Sequence, residues 1–163
     1  MSKTIKLKFP GAHGSELAAA LELPDDEPSA FAIFAHCFTC NKNVFAASRI
    51  TKKLALNGIA VLRFDFTGLG GSEGDFANTD FSSNIGDLEA AIEFLREEYE
   101  APTLLIGHSL GGAAVLAAAK YAPEAKAVVT IGAPAHPAHV EKLFTHHLDD
   151  IDKAGQAEVS IGG

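Results

Sequence analysis

The chain has 163 residues, 47% of them hydrophobic, which suits one compact domain with a core of its own. A formal net charge of -8 excludes nucleic acid and anionic membrane as natural partners, since either favours a basic surface. No run is long and apolar enough to cross a bilayer.

Met1 to Phe9 alternates lysine with apolar residues, as a strand does, rather than joining a basic start to an apolar run. Thr4 to Phe9, a turn over Gly11 to Gly14, and Leu17 to Leu23 together predict an opening antiparallel hairpin. An acidic loop, Pro24 to Ser29, leads to the continuous apolar run Ala30 to Ala35, the mark of a strand buried on both faces. Cys37 and Cys40 follow it. They are too close together to staple a fold, which points to a reducing, cytoplasmic compartment. The spacing of Ala47, Ile50 and Leu54 predicts a helix from Phe45 to Asn57, with Gly58 closing it. Ile59 to Phe64 is a second buried strand, ending in Asp65 and the glycine-rich Gly68 to Ser72. A helix over Asn84 to Tyr99 carries Ile85, Leu88, Ile92 and Leu95 on one stripe.

The most informative segment comes next. The strand Thr103 to Ile106 stops at Gly107, Ser109 follows, and an alanine-rich helix runs towards Tyr121. This is the G-x-S-x-G pattern in its required setting of strand, sharp turn and helix. Such a turn presents the serine hydroxyl above the strand ends and aims helix N–H groups at negative charge forming there. Gly107 and Gly111 are needed because side chains there would strike the neighbouring strand or helix. The plainer reading of Ser109 is an ordinary helix N-cap. Ala127 to Ile131 is a further strand, closed by Gly132-Ala133-Pro134. Strands alternating with helices predict an α/β fold around a mostly parallel sheet, with the site beyond the carboxyl ends of the strands. His36, Asp65, Ser109 and Ala133 all fall there.

From Thr4 to about Pro134 the chain resembles an α/β-hydrolase. The hairpin, Ala35-His36-Cys37-Phe38, Arg63-Phe64-Asp65 with Gly68, Gly70 and Ser72, and Gly107-His108-Ser109-Leu110-Gly111 carry the likeness. More narrowly it resembles the hydrolase half of bacterial proteins that fuse this fold to an OsmC-like peroxidase domain. That likeness rests on His36-Cys37-Phe38-Thr39-Cys40-Asn41-Lys42 and on Ala138 to Phe144. The resemblance implies Ser109 as nucleophile, with the Leu110 amide as one oxyanion donor and Phe38 as the second. Many relatives carry glycine where this chain has Cys37, so a side chain crowds that loop. Asp65 sits where a triad acid could, but in relatives with the Asp-x-x-Gly-x-Gly-x-Ser loop it braces the loop and the elbow.

Family members continue past the sixth strand into an insertion and two more strands bearing an acid and a histidine, in the order Ser, Asp or Glu, His. Here residues 1–134 read as the hydrolase core and 135–163 as a partial cap or tail. The expectation is a truncated product or fragment lacking the last two strands. The missing base leaves several candidates. His108 should point to the far side of the turn, His36 should order the oxyanion loop, and His13 should be solvated. His136, His139, His146 and His147, with Asp149, Asp150 and Asp152, could supply a substitute base and acid, or simply form a solvated cap helix.

The functional expectation is a serine hydrolase of small carboxylic esters working through an acyl-serine, with no cofactor. The alternatives are a catalytically impaired interaction module on the same fold, or a thiol-redox protein using Cys37 and Cys40. Zinc lacks a second ligand pair of suitable spacing. An open, apolar edge at Ala127 to Ile131 predicts a homo-oligomer through that edge or a swapped tail, unless the tail folds back over it.

Overall fold

The computed structural model describes residues 2–37 and 40–135. Six strands form one sheet in the order β1-β2-β4-β3-β5-β6. They are β1 (Lys3–Pro10), β2 (Glu16–Leu23), β3 (Ala30–Ala35), β4 (Ile59–Phe64), β5 (Leu104–His108) and β6 (Ala127–Ile131). β2 runs antiparallel to both of its neighbours, while β4, β3, β5 and β6 are mutually parallel. This is the expected mostly parallel sheet with an antiparallel N-terminal hairpin.

Helices cover both faces, and alternation along the central strands explains why. Phe31, Ile33 and Ala35 of β3, with Leu62 and Phe64 of β4, join one core beneath α2 (Phe81–Glu98) and α3 (Leu110–Ala118). Ala32 and Phe34, with Val61 and Ile106, form the other core beneath α1 (Phe45–Ala55). A strand read as continuously apolar is therefore supplying both sides at once. An aromatic column runs through the larger core towards the strand ends. Phe9 meets Phe64 at 5.6 Å, Phe64 meets Phe66 at 5.0 Å, and Phe66 meets the His36 ring at 4.9 Å between centroids.

The boundaries differ from expectation in instructive ways. α2 begins three residues earlier than its apolar stripe suggests. Asp80 accepts from the Ser83 amide at 2.7 Å while the Ser83 hydroxyl accepts from the Asp80 amide at 2.9 Å, a reciprocal cap. β5 extends through Gly107 and His108, because the ladder with β6 continues to His108 and Ile131. α3 gives way to a 3-10 turn at Ala119–Tyr121. Gly58, at a φ of +85°, takes the left-handed conformation that ends α1. His136, His139, His146, His147, Asp149, Asp150 and Asp152 lie outside the described residues, as do Phe38 and the expected tail unit.

Candidate active site

Ser109 sits between β5 and α3 with φ 54° and ψ -121°, and among the described residues it alone has a positive φ without being glycine. A side chain held there costs about 1–3 kcal/mol, so the surrounding structure must impose it. Three contacts do so. The Ser109 amide donates to the Ile131 carbonyl at 2.8 Å, and the Ser109 carbonyl accepts from Gly112 at 2.9 Å and Ala113 at 3.3 Å. Ser109 stands at the N-cap position of α3, but its hydroxyl makes no capping bond to the helix, nor any other hydrogen bond among the described residues.

The glycines show how tightly the turn is folded. A β-carbon on Gly107 would lie 2.2 Å from the Gly111 carbonyl oxygen. One on Gly111 would lie 2.3 Å from the His36 oxygen and 2.5 Å from the Ala35 oxygen. The first turn of α3 therefore rests directly on the backbone that leaves β3. That places the N–H groups of Leu110 and Gly111, which have no intrahelical acceptor, beside the expected oxyanion loop. A narrow, largely apolar cleft opens at this junction, lined in part by His36, Cys37, Phe66, Leu69, Leu110 and Ala114.

His36 is buried and both ring nitrogens are engaged. Nδ1 lies 2.7 Å from the Cys37 carbonyl oxygen, and Nε2 accepts the Phe66 amide at 3.3 Å. A carbonyl can only accept, so Nδ1 carries the proton and the ring is the neutral tautomer. Burial lowers its pKa below the usual 6.5, outweighing the raising effects of the Cys37 carbonyl and Asp65. Neutral His36 is thus favoured by the folded chain, while the unfolded chain takes up a proton first as pH falls. Stability is complete above about pH 6.5 and declines as the pH drops below it. Urea unfolding at pH 7.5 and pH 5 should show this loss in the wild type, and a smaller one in His36→Gln.

Asp65 is held as a brace. Its carboxylate accepts from the Lys42 amide at 2.5 Å, the Lys42 ammonium and the Gly71 amide at 2.9 Å. Its carbonyl accepts from the Ser72 hydroxyl, which in turn accepts from the Ala18 amide. Gly70 packs so closely on this carboxylate that a β-carbon would fall 2.4 Å from it. These bonds tie Asp65 to the segments that hold Lys42 and Gly71 to Ser72. His108 is half-buried and His13 exposed, and neither ring is hydrogen-bonded among the described residues.

Two supporting residues escaped sequence reasoning. Asp87, fully buried on α2, receives the Thr67 amide at 2.9 Å and the Thr67 hydroxyl at 3.1 Å, fixing the loop after β4. An acid one position before Leu88 on an apolar stripe was the available signal. Arg63 of β4 donates to the Lys42 carbonyl at 2.7 Å and the Ser48 hydroxyl at 3.0 Å, anchoring the approach to α1. Among the described residues no three His, Cys, Asp or Glu side chains converge to hold a metal ion.

Known proteins share this fold. The chain is 53% identical to the esterase domain of a Rhodothermus marinus protein, covering 88% of this chain and 57% of that one, with a TM-score of 0.69. A serine hydrolase without lid from Xanthomonas campestris is 27% identical over 83% of this chain and 63% of its own, with a TM-score of 0.72. The mitochondrial palmitoyl-protein thioesterase ABHD10 of Mus musculus is 33% identical over 100 residues, 61% of this chain. The chain spans about a third of the length of the curated relatives it matches. A family model, serine aminopeptidase, S33, matches residues 26–152, a stretch that holds β3 to β6 and the elbow. The chain belongs to this family of α/β-hydrolases.

Proposed function

We propose that this chain is a serine hydrolase of small carboxylic esters or thioesters, acting through an acyl-serine at Ser109. The observation that carries the reading is the forced backbone of Ser109, whose hydroxyl has no hydrogen-bond partner among the described residues. Ser109 Oγ attacks the acyl carbon, and the Leu110 amide, with a second donor at Phe38, holds the oxyanion. The proton passes to an imidazole, for which His136 or His139 oriented by Asp149 are the candidates, and then to the departing alcohol or thiol. Water releases the acid by the same route. Relatives named as an esterase and a thioesterase support an acyl ester substrate. The proposed reaction needs no cofactor. We place this activity in the cytoplasm. A fluorophosphonate probe should label the wild type and leave Ser109→Ala unlabelled; equal ester turnover in the two would end the reading.

A second copy of the chain is the partner we propose for β6. Its outer edge carries no strand among the described residues, and Val129 and Ile131 are 44% and 38% exposed. Such an edge is a template for pairing. Sedimentation at micromolar concentration should show a dimer that Val129→Glu converts to monomer. A monomeric wild type would count against the pairing.

A further inference from the structure

Resting on the reading of Ser109 as nucleophile, we infer that Cys37 and Cys40 form a reversible disulfide that holds the backbone leaving β3 beside the start of α3 and so sets the turnover rate. The structure joins the two sulfurs, with the Cα atoms 5.2 Å apart. That spacing lies within the ordinary range for a disulfide. The bond closes only the span of two residues between them, so its effect is local.

What surrounds the pair gives it leverage over the site. The Cys37 carbonyl accepts both the His36 ring at 2.7 Å and the Cys40 amide at 3.1 Å, so one oxygen holds the start of the loop and closes its turn. Cys37 lines the cleft against Leu110 and Gly111, the start of α3. Beyond Cys40 the chain is fixed again, where the Lys42 amide and ammonium meet Asp65 and the Lys42 carbonyl meets Arg63. The chain is therefore fixed on both sides of the cross-linked pair. Breaking the cross-link frees two side chains and removes the constraint between Cys37 and Cys40.

The chemistry balances as thiol–disulfide exchange. One cysteine thiolate attacks a low-molecular-weight disulfide such as glutathione disulfide, expelling one thiolate and leaving a mixed disulfide. The second cysteine thiolate displaces the other half, so the protein loses two electrons and two protons and two small thiols are formed. In a reducing compartment the resting chain holds two thiols, and oxidation joins the two sulfurs.

The test uses the full chain in two states, equilibrated with dithiothreitol or with glutathione disulfide and checked by thiol titration. The oxidised chain is expected to turn over p-nitrophenyl acetate with a kcat about tenfold above the reduced chain, a fraction of what losing an oxyanion donor costs, with KM little changed. A Cys37→Ser, Cys40→Ser double variant should match the reduced chain in both buffers. Amide hydrogen exchange across residues 36–42 and at Leu110 should be slower in the oxidised wild type, a comparison that needs no variant to fold. Equal exchange in the two states, or thiols that never pair under the oxidant, would overturn the inference. Should Ser109 resist fluorophosphonate in both states, the nucleophile reading fails, while the exchange data still decide the loop.

Discussion

Ser109→Ala is expected to lower p-nitrophenyl ester turnover by at least about a thousandfold, leaving only what the oxyanion donors and binding provide. Stability should separate this from a folding defect. Alanine keeps a β-carbon at φ 54°, so the strain stays and the unfolding free energy should barely move. Glycine removes the clash, and Ser109→Gly should be inactive yet more stable by about 1 kcal/mol. An inactive protein that gains stability is the signature of a residue kept in an unfavourable conformation for its chemistry. Chemical denaturation of the three proteins, beside their turnover, checks both halves.

Gly111→Ala should be among the most damaging small changes in the elbow. Its new methyl group would meet the His36 oxygen at 2.3 Å and the Ala35 oxygen at 2.5 Å, and both belong to backbone at the end of a central strand. A flexible side chain could swing aside, but these atoms are fixed by the β3 ladder with β4 and β5. The helix must lift, separating the Leu110 amide from the loop after β3. We expect a loss of at least about 3 kcal/mol, at the upper end of overpacking costs, and turnover reduced even in the folded fraction. Thermal unfolding with and without the substitution measures it. A fully stable, fully active Gly111→Ala would mean that the elbow is looser than its contacts require.

The fold was legible where periodicity and punctuation agree. Ala30 to Ala35 and Ile59 to Phe64 were readable as buried strands because both of their faces are apolar, and the structure gives β3 and β4 those same bounds. Gly107, Ser109 and Gly111 were readable because a backbone turned that sharply admits few residue types. Less legible was the early start of α2, since the reciprocal bonds of Asp80 and Ser83 lie outside its apolar stripe. Asp87 was missed for a related reason. A carboxylate in a helix normally signals a solvated face, and only the approach of Thr67 from a loop twenty residues earlier makes its burial tolerable. The disulfide was the hardest to see, because sequence separation says how large a loop is closed and nothing of what that loop touches.

The Ser109 amide hangs from the Ile131 carbonyl, the last residue of the outermost strand. Any chain that adds to that strand therefore pulls on the same peptide that seats the nucleophile. Linkage makes such a coupling reciprocal: if association changes how readily the serine acylates at equilibrium, acylation changes the dissociation constant of the assembly by the same factor. Comparing the self-affinity of free and phosphonylated protein would measure that factor directly.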